Sequence, residues 1–286
     1  MRFDIKTRTG LISPIIEGLS GTPGILNSYP NATAAYSLRV LNTSYTGAAI
    51  RVRRSSDNTE LDIGFDSVGN LDTTTLLNFV GVTGNGFVTR WYDQSGNTRT
   101  ATQTTAANQP IIVSIGLLET QLGKPCVRFS KVTGNGLATS VIINNPFSII
   151  GVMSQDLSTG NVFQSRMLST TSAATGSTIV IRRSDNISIY TSVTVLTNFP
   201  SQISNQPYLI SFLRQTSTSN IYQNNITVAN SSTTTSNWGG FEMNTPTYDT
   251  TNASLWRASE IIVYPTNQNA NISGIHSNIN SYYSIY

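Results

Sequence analysis

The chain has few of the residues on which many enzymes and metal proteins depend. Its 286 residues include one cysteine, Cys126, and one histidine, His276. We therefore expect no intrachain disulfide, no cysteine- or histidine-based metal site, and no catalytic triad except one built on His276. His276 lies in a segment that predicts a short helix near the C-terminus, where we favour a structural role over a catalytic one. No residue pattern indicates a cofactor.

Charged residues are also scarce. Asp, Glu, Lys and Arg make up 11% of the chain, and the formal net charge is +3. Ordinary domains are about one quarter charged. So small a basic surplus is not the footprint of a nucleic-acid-binding protein. The local basic groups, Arg51-x-Arg53-Arg54 and Arg182-Arg183, are interpreted as solvated hairpin residues.

Long hydrophobic runs are missing. No segment approaches the roughly 18 apolar residues that a membrane-spanning helix needs. The N-terminal residues Met1 to Lys6 spread their charges and show no signal-peptide pattern. We therefore expect no membrane association and synthesis that begins in a cytoplasm.

Alternating apolar residues and turn signals dominate what is present. Residues 48–54 alternate apolar and basic side chains, 55–58 supply turn residues, and 61–65 alternate again, which predicts a β-hairpin. Residues 179–190 repeat this pattern. Helical spacing occurs only at 72–80, with Asp72 as N-cap, and at 270–283. Many short strands with helices at the margins predict an all-β protein, an antiparallel β-sandwich with a short C-terminal helix.

The first 33 residues differ from the rest because glycine and proline interrupt them repeatedly. We expect an N-terminal extended arm over residues 1–33. Two interpretations stay open: the arm packs along its own domain, or it becomes ordered only against a partner. Residues 34–286 show no linker and are predicted to form one domain.

Two motifs carry a family resemblance. The first runs from Ala35-Tyr36-Ser37 to the hairpin ending at Asp57, and the second is Trp91-Tyr92-Asp93-Gln94-Ser95-Gly96-Asn97. Together they resemble the N-terminal domain of the fungal α-L-arabinofuranosidase B family, best over residues 34–112. The resemblance implies a concanavalin-like sandwich (jelly roll) of two antiparallel sheets. The chain also resembles non-catalytic versions of this domain in bacteriophage virion proteins.

The catalytic carboxyl groups that the resemblance implies are not found at their expected places. A retaining glycosidase needs two carboxyl groups about 5 Å apart. The region 160–167, which matches the family's nucleophile, contains no Glu. The family's acid/base is an Asp after Gly-Gly, whereas here Phe241 follows Gly239-Gly240. Glu242 is one position later and is expected on the opposite strand face. Asp156 remains a remote candidate, and we expect no catalytic residues.

Five residues are candidates for carbohydrate contact: Asp93, Gln94, Asn97, Trp238 and Glu242. The alternative for Asp93 is architectural, because its carboxylate can accept backbone N–H groups of the turn at 95–97. Trp238 is expected in a loop, and Trp256 in the core.

These observations favour a non-enzymatic structural or attachment protein of a bacteriophage virion, assembled in the host cytoplasm. Its lectin-like domain would contact host glycans, its residues 1–33 would bind other virion proteins, and it would form homo-oligomers. Two alternatives remain: an arabinofuranosidase-type glycoside hydrolase, and a purely architectural subunit without a ligand.

Overall fold

The computed structural model describes residues 24–132, 134–156, 165–169, 180–183, 186–191, 194–198, 203–216, 218–232, 239–244 and 255–286. Three α-helices occur in these residues: α1 (Ile25–Ser28), α2 (Thr73–Val80) and α3 (Ile272–Tyr283). None of the described helices is long and apolar enough to span a membrane.

The strands, in chain order, are β1 (Ala34–Ser37), β2 (Ile50–Arg54), β3 (Glu60–Ile63), β4 (Gly86–Trp91), β5 (Ala101–Thr102), β6 (Ile111–Ser114), β7 (Leu117–Leu118), β8 (Thr120–Gln121), β9 (Lys124–Pro125), β10 (Val127–Phe129), β11 (Gly136–Ile143), β12 (Phe147–Gln155), β13 (Ser165–Ser169), β14 (Val180–Arg183), β15 (Asn186–Thr191), β16 (Thr194–Asn198), β17 (Pro207–Arg214), β18 (Thr218–Gln223), β19 (Ile226–Ser232), β20 (Gly239–Asn244) and β21 (Trp256–Tyr264).

Their pairing forms two antiparallel layers. In sheet A, β21 pairs with β1 and β10 on one side and β12 on the other, followed by β17, β18 and β19. Sheet B runs β3, β2, β4, β5, β11, β20, β13, β14, β15 and β16. Strand β6 pairs with both β4 and β10 and so connects the sheets. The predicted all-β sandwich is confirmed.

The central core lies between the sheets. Its large aromatic members include Trp91, Trp256, Tyr36, Phe129 and Phe147, all buried. Phe129 stacks on Trp256 with ring centroids 4.3 Å apart. The expected core position of Trp256 is therefore confirmed. A core of such aromatic residues buries a large apolar area, which is the main stabilising contribution to the fold.

A second core covers the outer face of sheet A. Helix α3 places Ile272, Ile275 and Ile279 on this face, at the helical spacing seen in the sequence. Helix α1 joins the same core through Ile25 and Leu26. Residues 24–33 of the predicted arm thus pack on the sandwich, and residues 1–23 lie outside the described residues.

Two local motifs form as their residues predict. Asp72 caps α2, because its Oδ1 accepts the Thr75 N–H at 2.9 Å. The hairpin of β2 and β3 turns at residues 55–59, where Asp57 accepts the Thr59 N–H and binds Arg54. Each of these contacts joins residues that are two or three positions apart, so the sequence alone can predict them.

Candidate functional site

A row of paired residues crosses the outer face of sheet B. Successive strands β3, β2, β4, β5, β11, β20 and β13 contribute one residue each, and every pair is directly opposed: Asp62, Arg51, Arg90, Thr102, Ala138, Glu242 and Ser169. Directly opposed residues of an antiparallel pair point to the same face. We call this set the polar row. At about 4.8 Å per strand it extends across about 29 Å of the sheet.

Glu242 is the acidic residue in the interior of the polar row. Its neighbours Phe241 and Met243 are buried in the core between the sheets. Since side chains alternate along a strand, the Glu242 carboxyl group points away from that core, onto the outer face. The residue is fully buried. Burying a carboxyl group in this way is costly, which is typical of functional positions.

The end of β20 next to Glu242 is held by polar contacts. Asn244 donates through Nδ2 to the Ser130 carbonyl oxygen at 3.0 Å, and its own carbonyl accepts the Ser169 hydroxyl at 2.8 Å. Asn244 has φ of 66°, a left-handed conformation that asparagine tolerates better than most residues. The backbone N–H of Ser130 also donates to the side-chain oxygen Oδ1 of Asn135. This network orients the strand that carries Glu242.

The motif at 93–97 is held by internal hydrogen bonds. Asp93 accepts four of them, from the backbone N–H groups of Ala35, Ser95 and Arg99 and from the Ser95 hydroxyl. The Gln94 amide binds the carbonyls of Ser37 and Arg39 and the N–H of Leu41. Both residues are buried. The structure therefore gives them the architectural role, and sugar contact by them stays a prediction.

The other predicted contact residues are not brought to one place. Asn97 is exposed and donates to the carbonyls of Ala32 and Thr33, at the end of sheet A where β1 begins. Trp238 lies outside the described residues. Of the five candidates, only Glu242 is on the polar row. The sequence analysis missed its directly opposed neighbours, Ala138 and Ser169, and the next residue along the row, Thr102. Small and polar residues in strands carry no sequence signal of their own.

The remaining described acids of the second half lie elsewhere. Asp156 follows β12 in sheet A, where its Oδ1 accepts the Ser204 hydroxyl at 3.4 Å. Glu260 is fully buried in β21 and binds Arg39. Asp185 and Asp249 lie outside the described residues. The strands beside β20, β11 and β13, contain no acidic residue.

The opposite end of the polar row is an exposed ionic cluster. Arg51 binds Glu60 at 2.7 Å and Asp62 at 3.1 Å, and the Tyr92 hydroxyl donates to Asp62 at 2.7 Å. Burial and the Asp62 carboxylate raise the pKa of Tyr92. Asp62 is five strand spacings from Glu242, about 24 Å. These carboxylates are too far away to act with Glu242 on one glycosidic bond.

Neither His276 nor Cys126 is placed for catalysis. The Nε2 of His276 lies 2.7 Å from the Ser211 hydroxyl, and its Nδ1 lies 3.1 Å from Asn225 Oδ1. Ser211 is fully buried under α3, and His276 is fully buried on the inward side of that helix. The described partners of the imidazole are a hydroxyl group and an amide oxygen, and no described carboxylate completes a triad. Burial lowers the pKa of His276 to about 4 and raises that of the Cys126 thiol to about 12. The expected structural role of His276 agrees with this geometry.

Comparison with known proteins gives one family match, over part of the chain. A family model described as alpha-L-arabinofuranosidase B, catalytic, matches residues 27–115. No curated protein matches the chain.

Solved structures extend the similarity to most of the chain. An arabinofuranosidase complexed with arabinofuranosyl-α-1,2-xylobiose superposes with a TM-score of 0.67 at 16% identity, and a GH54 α-L-arabinofuranosidase soaked with a cyclic sulfate inhibitor with 0.69 at 16%. Each match covers 89% of this chain and 64% of the solved one. A Trypanosoma rangeli sialidase complex matches with a TM-score of 0.51 at 12% identity, over 68% of this chain and 31% of that chain. These likenesses establish the fold.

The expectation of a non-enzymatic virion protein is wrong. The matching family model describes a catalytic domain, and arabinofuranosidases share the fold over most of the chain. The expectation rested on two carboxyl groups that are not at the positions implied by the resemblance, one in 160–167 and one directly after Gly239-Gly240. The structure shows that position 241 faces the apolar core, where Phe241 belongs, while position 242 faces outward. The predicted virion partners, the oligomeric state and the location of the protein stay predictions.

Proposed function

We propose that this protein is a glycoside hydrolase acting on α-L-arabinofuranosides. The observation that carries the proposal is the match of residues 27–115 to an arabinofuranosidase catalytic-domain model, on a chain whose fold matches arabinofuranosidases over 89% of its length. The polar row on sheet B supports it, because it supplies a long polar face and one buried carboxyl group.

Glu242 is the proposed acid/base. A general acid must hold its proton until the leaving group departs, and a carboxyl group withdrawn from water is suited to that task. Glu242 is fully buried and adjoins the small side chain of Ala138 on the neighbouring strand. It also follows the Gly239-Gly240 pair closely, as the acid/base does in the family that the chain resembles.

Hydrolysis with retention needs a second carboxylate about 5 Å from the first to attack the anomeric carbon. Within the described residues, the strands flanking β20 offer none. Asp185 and Asp249 are the further acids of the C-terminal half, and their Asn variants identify which of them, if either, is the nucleophile.

The test is hydrolysis of 4-nitrophenyl α-L-arabinofuranoside and of an arabinofuranosyl-xylobiose by the purified protein. Glu242→Gln should lower turnover of the oligosaccharide by about 10²–10⁴-fold. With the nitrophenyl substrate, Glu242→Gln should lower the rate of the first step, formation of the glycosyl-enzyme, by a smaller factor. Nitrophenolate is a leaving group that needs no protonation. Glu60→Gln, on the same sheet, is the matched control and should keep wild-type activity.

Two results would contradict the proposal. If the wild-type protein hydrolyses neither substrate, the function is wrong. If Glu242→Gln retains full activity on both, the function can stand, but the assignment of Glu242 fails.

A further inference from the structure

Arg214 is a buried arginine without an acidic partner in the described structure. It ends β17, and the alternate residues Phe212 and Ile210 belong to the core between the sheets. The Arg214 side chain therefore points into the same inter-sheet space, at one end of the sandwich. Its residue exposure is only 2%.

The guanidinium edge formed by Nε and Nη2 is the part of Arg214 that lacks partners. Within the part of the chain that the structure describes, neither nitrogen has a hydrogen-bond partner. Arg39 shows what this edge does when it is satisfied: its Nε and Nη2 bind the two oxygens of Glu260 at 2.7 Å and 3.0 Å. The geometry of that edge matches a planar carboxylate.

The residues beside Arg214 add a donor and an apolar wall. The register places Phe147 on one side of Arg214 and Ser219 on the other. The Ser219 hydroxyl is fully buried and also lacks a hydrogen-bond partner among the described residues. Three unsatisfied polar atoms of adjacent residues thus share one face of the sheet.

An unpaired buried guanidinium is energetically unfavourable. Arginine does not lose its proton in proteins, so it cannot escape the desolvation cost by becoming neutral. Burial lowers the pKa of Arg214, which is the direction expected for a cation without a counter-charge. Water could satisfy the donors, but it would not compensate the charge.

We propose that Arg214 and Ser219 form a binding site for a carboxylate, with Nε and Nη2 of Arg214 donating to its two oxygens and the Ser219 hydroxyl donating to one of them. The site is on the inner face of sheet A, whereas Glu242 is on the outer face of sheet B, so the proposal does not rest on the hydrolase activity. Two sources share this chemistry: a small organic acid and the carboxylate of a sugar acid.

The experiment is thermal unfolding of the full chain while sodium chloride is replaced by sodium acetate, or by sodium glucuronate, at constant ionic strength. Once the ligand reaches about ten times its Kd, we expect Tm to rise by about 3 °C. A response to acetate indicates a small-acid site, and a response to glucuronate alone indicates a sugar acid.

Variants connect the response to the proposed atoms. Arg214→Met should abolish the rise in Tm, Arg214→Lys should weaken binding because ammonium lacks the planar edge, and Ser219→Ala should weaken it by about tenfold. Arg54→Met changes a partly exposed arginine in the β2–β3 hairpin and is the control that should keep the response. If Arg214→Met does not fold, the weaker ligand binding expected of Arg214→Lys and Ser219→Ala tests the site instead. An absent response in the wild type, or an equal one in the Arg214 variants, would overturn the site.

Discussion

The two outer faces of the sandwich carry different kinds of buried charge. On sheet A, α3 and the second core close the face, and the buried charges there compensate each other. Arg39 binds Glu260 through two nitrogens and donates to Asn278 at 3.0 Å, while Tyr282 and Tyr283 pack against its guanidinium. On sheet B, the corresponding face carries the polar row with Glu242.

The two acids have different expected roles, Glu260 in stability and Glu242, under the proposed function, in catalysis. Glu260 is paired with the Arg39 guanidinium. Removing either partner would leave the other charge buried without a counter-ion. Glu242 is directly opposed by Ala138 and Ser169 on the neighbouring strands, and under the proposed function its carboxyl group acts on the substrate. We therefore expect mutation of Glu260 to act on folding and mutation of Glu242 to act mainly on activity.

The largest expected effect on stability is that of Glu260→Gln. This change leaves Arg39 buried without a counter-ion and should lower the free energy of unfolding by about 3–5 kcal/mol. Urea unfolding followed by tryptophan fluorescence measures it, with Glu242→Gln as the comparison variant. A Glu242→Gln protein destabilised as strongly as Glu260→Gln would remove the distinction between the two faces.

Ile275→Ala tests whether α3 is what closes the face of sheet A. Ile275 is fully buried in the second core, so truncation should cost about 3 kcal/mol through lost burial and a residual cavity. The same unfolding assay applies, and hydrolysis measured well below the melting temperature should be unchanged. A loss of activity without a loss of stability would connect α3 to the site on sheet B.

The third effect is a pH dependence of stability, and it comes from His276 on α3, the helix that covers sheet A. The folded pKa of His276, about 4, is below the ordinary value of 6.5, so the unfolded chain binds more protons between these values. Stability is therefore complete above pH 6.5 and falls as the pH decreases towards 4. Between pH 7 and pH 5 the loss should be about 2 kcal/mol.

Unfolding of His276→Gln isolates this contribution, because glutamine does not titrate. The difference in unfolding free energy between wild type and variant should shrink or change sign as the pH falls through this window. A difference independent of pH would show that His276 does not titrate as described.

The smallest expected effect is that of Glu60→Gln. Its pair with Arg51 is exposed, and exposed ion pairs contribute about 0–1 kcal/mol. The residual effect should decrease with added salt. Urea unfolding at low and high salt measures it, and a cost near that of Glu260→Gln would contradict the role that we assign to burial.

Local chemistry was predictable at several positions. Asp72 caps α2, Asp93 accepts the turn N–H groups, and the apolar spacing of Ile272, Ile275 and Ile279 defines the buried side of α3. Each depends on residues close together in the sequence or on a simple period. The Arg39–Glu260 pair, which joins residues far apart in the chain, had no such signal.

The sequence by itself determined the class of fold and the scarcity of reactive side chains. Period-two alternation and frequent turns specify an antiparallel sandwich, because they allow each sheet to bury a face. Only the tertiary structure decided which charges are compensated and which face each one occupies. Pairing across sheets and strand register set those properties: they place Glu242 on the outer face of sheet B, bury His276 against Ser211 and leave Nε and Nη2 of Arg214 without a described partner.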